Sequence, residues 1–169
     1  MDKLPDLLAD NLRVIFVGTA AGLRSSERGH YYAGPGNRFW SAIHETGLTP
    51  KLFKPEEFPN LLPIGIGLTD LSKLGAGMDH QIKSHQYDVS RFIATIRRHN
   101  PRAVAFTGKK AASIWLNRKS TREIKYGRLR SLPYSFPDVF VLPSPSGAAR
   151  SHWSITPWRE MAEWLEAAS

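Results

Sequence analysis

RVIFVGT, residues 13–19, runs Val14, Ile15, Phe16 and Val17 together with no polar residue between them and stops at Gly18 and Thr19. A strand with one wet face alternates polar and apolar residues. An unbroken apolar run is buried on both faces, as in a parallel sheet covered by helices. Three later segments repeat the pattern and end in small or polar residues: PIGIGLTD (63–70), RAVAFTG (102–108) and DVFVLPSP (138–145). Helical spacing lies between and after them. Val89, Phe92, Ile93 and Ile96 follow i, i+3, i+4, i+7, as do Ile155, Trp158, Met161, Trp164 and Leu165. Thr156 is expected to cap the last helix, with Pro157 in its first turn. NRFWSAIHETG (37–47) reads as a helix stopped by Gly47, and LLADN (7–11) and GKKAASIWLN (108–117) as shorter ones. The alternation predicts an α/β three-layer sandwich, with a central, mainly parallel four-stranded sheet flanked by helices. Ligands of such sheets sit beyond the carboxyl ends of the strands, which selects GTAAG (18–22), LTDL (68–71), TGKK (107–110) and PSPSG (143–147).

The 169 residues are read as a single domain, 1–169. No apolar run approaches the ~18 residues needed to span a bilayer, and MDKLPDLLADN carries no readable secretory or transit signal, so the expected setting is cytoplasmic with no membrane partner. The absence of Cys excludes disulfides, thiolate-bound zinc, iron–sulfur clusters and a cysteine nucleophile. Net charge is +8, and residues 91–130 set twelve Lys and Arg against the single acid Glu123. Such asymmetry suits a polyanion, although a solvated basic face gives the same composition.

The stretch GTAAGLRSSERGHYYAGPGNRFW (18–40) is a Gly-rich turn off the first strand, a polar loop, two tyrosines and a helix start. Small residues admit a flat ligand close to the backbone, and a tyrosine ring offers it a stacking face. Gly18 and Gly22 are wrongly spaced for a dinucleotide fingerprint, and GKK at 108–110 lacks the rest of a phosphate-binding P-loop. Together with LPSPSGAARSHW (142–153), this stretch resembles the mismatch-specific uracil and thymine DNA glycosylases of the uracil-DNA glycosylase superfamily. Their G-I-N-P-G turn, A-N-R-F-W segment and N-P-S-G-x-x-R loop correspond, in the same order, to GTAAG, GPGNRFW and SPSGAAR.

The resemblance implies a uracil-DNA glycosylase-like fold and DNA containing uracil or another damaged base as partner. It also implies extrusion of the base into a pocket, since the glycosidic carbon is inaccessible in a stacked duplex. Gly18, Thr19, Ala20, Ala21, Gly22, Tyr32, Asn37 and Ser144 would form that pocket, with backbone near Thr19 bonding the base and Tyr32 stacking on it; ordinary packing is the plainer reading of Tyr32. Gly147, Ala148 and Ala149 would fill the vacated space, with Arg150 against the DNA. Lys109, Lys110 and Ser146 are expected at phosphates.

The departures bear on chemistry. The family's water-positioning Asn falls on Ala20, the Asn opening the later loop on Ser144, and the wedge residue on Ala148. Hydrolysis then needs another group to orient water and balance the charge of an oxocarbenium-like sugar, tasks suited to a carboxylate. Asp70, at a strand end, is the expected catalytic residue; its plainer role is to cap a loop or pair with a nearby Arg or Lys. Glu27 and His30 are further candidates. Asp79, His80 and His85 lack a fourth ligand and a recognisable spacing, so no metal is expected, and Ser144 and Ser146 lack the G-x-S-x-G frame of an acyl-transfer triad.

The expected activity is therefore that of a monofunctional DNA glycosylase needing no cofactor and no obligatory protein partner. A catalytically silent module binding damaged or abasic DNA is the rival, and an enzyme of free nucleotides or phosphate esters a further alternative.

Overall fold

The structure, a computed structural model, describes residues 4–73, 87–129 and 136–167. Its sheet has five strands in the order β2-β1-β3-β5-β4. The unbroken apolar runs form β1 (Val14–Gly18), β2 (Ile66–Asp70), β3 (Ala103–Phe106) and β5 (Asp138–Val141), all mutually parallel. The expected count of four is corrected by β4 (Gly127–Arg128), which lies antiparallel on β5 at the edge. A glycine and an arginine carry no apolar signal, and a short charged strand is a common way to close a sheet edge.

Both faces of the sheet are covered. Val14 and Phe16 point into one core with Leu68, Ala105 and Phe140, under α2 (Phe39–Glu45) and α5 (Thr156–Ala167). Ile15 and Val17 point into the other with Val104, Phe106 and Val141, under α3 (Val89–His99) and α4 (Lys109–Trp115). Trp158 shows how firmly α5 is seated: it is fully buried, stacks on Phe16 at 5.7 Å and donates from Nε1 to the Pro143 carbonyl at 3.1 Å. Thr156 is the first helical residue rather than the cap; its amide donates to Ser154 Oγ at 3.3 Å. Asp88 caps α3 through the Arg91 amide at 2.9 Å, and Gly47, at φ +83°, follows α2.

LLADN is not helical. Leu7 instead pairs antiparallel with Leu68, exchanging hydrogen bonds of 2.9 and 2.8 Å, so residues 4–7 lie along the free edge of β2. Two elements had no clear sequence signal: the six-residue α1 (Leu23–Arg28) and a 3-10 segment, Pro55–Ile64, leading into β2. The chain leaves β1 for β2 on one side and reaches β3 on the other, so a crevice opens beyond their carboxyl ends. No helix among the described residues is long and apolar enough to cross a membrane.

Candidate active site

That crevice is a cleft of about 560 Å³, lined by Gly18 to Gly22, Tyr32, Asn37, Asp70, Lys109, Lys110, Ser144 and Ser146 to Ala149, among others. Every expected site residue except Arg150 thus borders one space. Arg150 borders an adjoining shallow groove with Pro35, Gly36, Asn37, Arg38 and Gly147. Glu27 is exposed on α1 and His30 half-buried, and neither lines the cleft. Asp79, His80 and His85 lie outside the described residues.

Asp70 is the last residue of β2, in register with Gly18 of β1. A Cβ on Gly18 would stand 2.7 Å from Asp70 Oδ1, 3.6 Å from Thr107 Oγ1 and 3.8 Å from the Tyr32 hydroxyl. The bare Cα of Gly18 is therefore what admits the carboxylate to the GTAAG turn. Past the strand ends the two chains stay zipped, Leu71 and Ser72 amides donating to the Gly18 and Thr19 carbonyls at 2.9 and 2.8 Å. Asp70 is 4% exposed and is the only acid lining the cleft among the described residues. Burial pushes its carboxyl above the ordinary carboxylate range; Lys73 opposes this and Asp6 adds to it. The pairing with lysine foreseen as Asp70's plainer role is present, Lys73 Nζ standing 3.4 Å from Oδ2, which leaves Oδ1 on the Gly18 side.

Tyr32 holds a left-handed backbone, φ +52°, a conformation bulky residues seldom adopt. One ring face stacks on Phe39 at 4.0 Å and 14°, and the residue borders the cleft. Packing is thus one part of its role, with Tyr31 as a second, tilted ring neighbour at 6.2 Å. Thr107 Oγ1 donates to the Val17 carbonyl at 3.2 Å, leaving the Tyr32 hydroxyl to donate to Thr107 at 3.3 Å. Burial first, then the charge of Asp70, pushes the phenol pKa up, so the hydroxyl keeps its proton through the neutral range. Ser25 Oγ ties this loop by accepting from the Ala33 amide at 2.9 Å.

The two stretches that carry the resemblance dock on each other. Arg38 N donates to the Pro145 carbonyl at 2.8 Å, and a Cβ on Gly147 would meet the Pro35 carbonyl oxygen at 2.7 Å. Asn37 Oδ1 accepts from the Phe39 amide at 2.9 Å and holds the start of α2, whose Phe39 and Trp40 are core residues. Ser144 and Ser146 serve the loop's own turns: Ser144 Oγ accepts from the Ser146 amide at 3.3 Å and Ser146 Oγ from the Ala148 amide at 3.2 Å. Lys109 Nζ sits 4.4 Å from the centre of the Tyr126 ring, a cation–π contact, while Lys110 is exposed at the rim.

Sequence reasoning placed TGKK (107–110) and the two tyrosines near the site without giving Thr107 or Tyr31 a role, and it missed Lys73 and Asp6. Thr107 and Lys73 left a signal, the first at a strand end and the second three residues after Asp70, whereas Asp6 left none. A sequence profile of the Uracil DNA glycosylase superfamily matches residues 5–167. The fold is similar to a solution NMR structure from Methanosarcina acetivorans described as a "putative Uracil DNA glycosylase", with TM-score 0.68 and 23% identity over 98% of this chain and 99% of that one.

Proposed function

This chain belongs to the uracil DNA glycosylase superfamily, and we propose that it acts in base-excision repair, hydrolysing the N-glycosidic bond of uracil or a related deaminated or mismatched base flipped out of DNA. The observation that carries the reading is the Asp70 carboxylate, the cleft's single acid among the described residues, standing against the motif in which Ala20 replaces the family's Asn. Asp70 orients a water toward the anomeric carbon and takes its proton as the carbon–oxygen bond forms. The glycosidic bond breaks, its electron pair leaves with the base, and the carboxylate offsets the charge developing on the sugar. Tyr32, backed by Phe39, offers its other face to the extruded base. Gly147, Ala148 and Ala149 enter the space the base leaves, and Lys109, Lys110, Ser146 and Arg150 lie along the strand's phosphates.

Lys73 does not line the cleft and is paired with two carboxylates, which supports a monofunctional enzyme that leaves an abasic site uncut. Labelled oligonucleotides with one uracil, single-stranded or opposite G or A, test this directly. Product that appears only after alkali supports the reading; strand cleavage without alkali contradicts the monofunctional part of it. The loss of both family Asn residues, at Ala20 and Ser144, favours a second reading, a silent module for damaged DNA. Tight binding with no product from uracil, hypoxanthine, xanthine or thymine mismatches would select it.

A further inference from the structure

The carboxylate in the cleft is held by residues that do not line it. Lys73, 7% exposed, places Nζ 2.9 Å from Asp6 Oδ1 and 3.4 Å from Asp70 Oδ2, and donates to the Tyr31 hydroxyl at 3.2 Å. Asp6 arrives because residues 4–7 run along β2; it also accepts from Thr69 Oγ1 at 2.6 Å and pairs with Arg91 at 3.4 Å. The same Arg91 donates to the Asp70 carbonyl at 2.7 Å, and the Tyr31 hydroxyl donates to the Pro5 carbonyl at 2.8 Å. Neither Asp6 nor Lys73 lines the cleft.

We infer that Asp6 and Lys73 are positioning residues for the hydrolysis, and that the N-terminal segment 4–7 sets, through Lys73, where the Asp70 carboxylate stands and at what pH it is ionised. The inference rests on the reading of Asp70 as the hydrolytic carboxylate. Lys73 takes Oδ2 and leaves Oδ1 at the Gly18 side, so one oxygen is anchored and the other is available to water. Two acids compete for that buried ammonium. Among the described residues, the groups facing Asp70 are Lys73 beyond β2, Asp6 on the N-terminal segment, Arg91 on α3 and the neutral Tyr32 before α2. Lys73 and Arg91 favour the carboxylate, whereas Asp6 disfavours it, so neutralising Asp6 and neutralising Lys73 have opposite effects on its ionisation.

The test is the single-turnover excision rate against pH, on a duplex with uracil opposite G, for the wild type, Asp6→Asn, Lys73→Met and Asp70→Asn. Lys73→Met is expected to move the acid limb up by about one pH unit or more, as removal of a cation at this distance does, and Asp6→Asn to move it down. A merely structural role lowers the rates and leaves both limbs in place, which overturns the inference. If Lys73→Met lacks a cooperative thermal transition, Asp6→Asn decides alone, and a limb unmoved or moved up is the overturning result. Loss of activity in Asp70→Asn with unshifted limbs overturns only the positioning role. Full activity in Asp70→Asn overturns the reading of Asp70 and the inference with it.

Discussion

Gly18 and Asp70 are two residues with one purpose, since the missing side chain of the first makes room for the carboxylate of the second. Gly18→Ala would push Oδ1 off its position and strain the pair with Lys73. Excision is expected to fall about 10²-fold, the cost of misplacing a reacting group by around an ångström, with DNA affinity retained in a binding titration. Asp70 also costs the fold something. Its carboxyl titrates above the unfolded value, so the stability it contributes is complete at acid pH and is lost as pH rises through the folded value. Asp70→Asn mimics the protonated form and is expected to be more stable than the wild type at neutral pH, the gap closing toward acid pH; urea titrations at two pH values check this. Asp70 was legible because it ends an apolar strand on the ligand side of the sheet. Its surroundings were less so: Lys73 is near in sequence, but Asp6 meets both only through a pairing between Leu7 and Leu68 that no local pattern announces.

Strands with uninterrupted apolar runs and helices with long periodic faces were legible as elements, because burial on two faces or on one stripe leaves a direct mark on composition. The elements that escaped are those without such a mark. β4 is a glycine and an arginine, α1 is six polar-rich residues, and the 3-10 segment contains Pro59 and Pro63. LLADN was misread because its leucines also suit an extended edge, where Leu7 bonds to β2. At this scale the packing of α5 is decisive for stability, and Trp158→Ala is expected to cost about 3–5 kcal/mol in chemical denaturation. On the proposed reading, the junction between the 34–38 and 143–150 loops matters for DNA binding instead. Gly147→Ala aims a methyl at the Pro35 carbonyl oxygen, a backbone atom that cannot swing aside, so the two loops must shift apart; DNA binding is expected to weaken in a titration and the melting temperature to fall.

Across the whole molecule the proposed work is divided between a basic rim and a buried cleft. Lys109 and Lys110 border the cleft and Arg150 the groove beside it, whereas Asp70 is almost fully enclosed. If the rim binds phosphates as proposed, it acts through counterion release, and replacing Lys109, Lys110 and Arg150 by Ala is expected to flatten the salt dependence of binding by about one in log–log slope for each phosphate left without its cation. The cleft acts on rate, and the two contributions separate in one comparison. Wild type and Asp70→Asn are assayed side by side for single-turnover release of uracil from DNA and for affinity to the same DNA. The variant's rate is expected to be lower by about 10²–10⁴-fold, the usual contribution of a positioned acid–base group, at unchanged affinity; an equal rate would remove Asp70 from the hydrolysis.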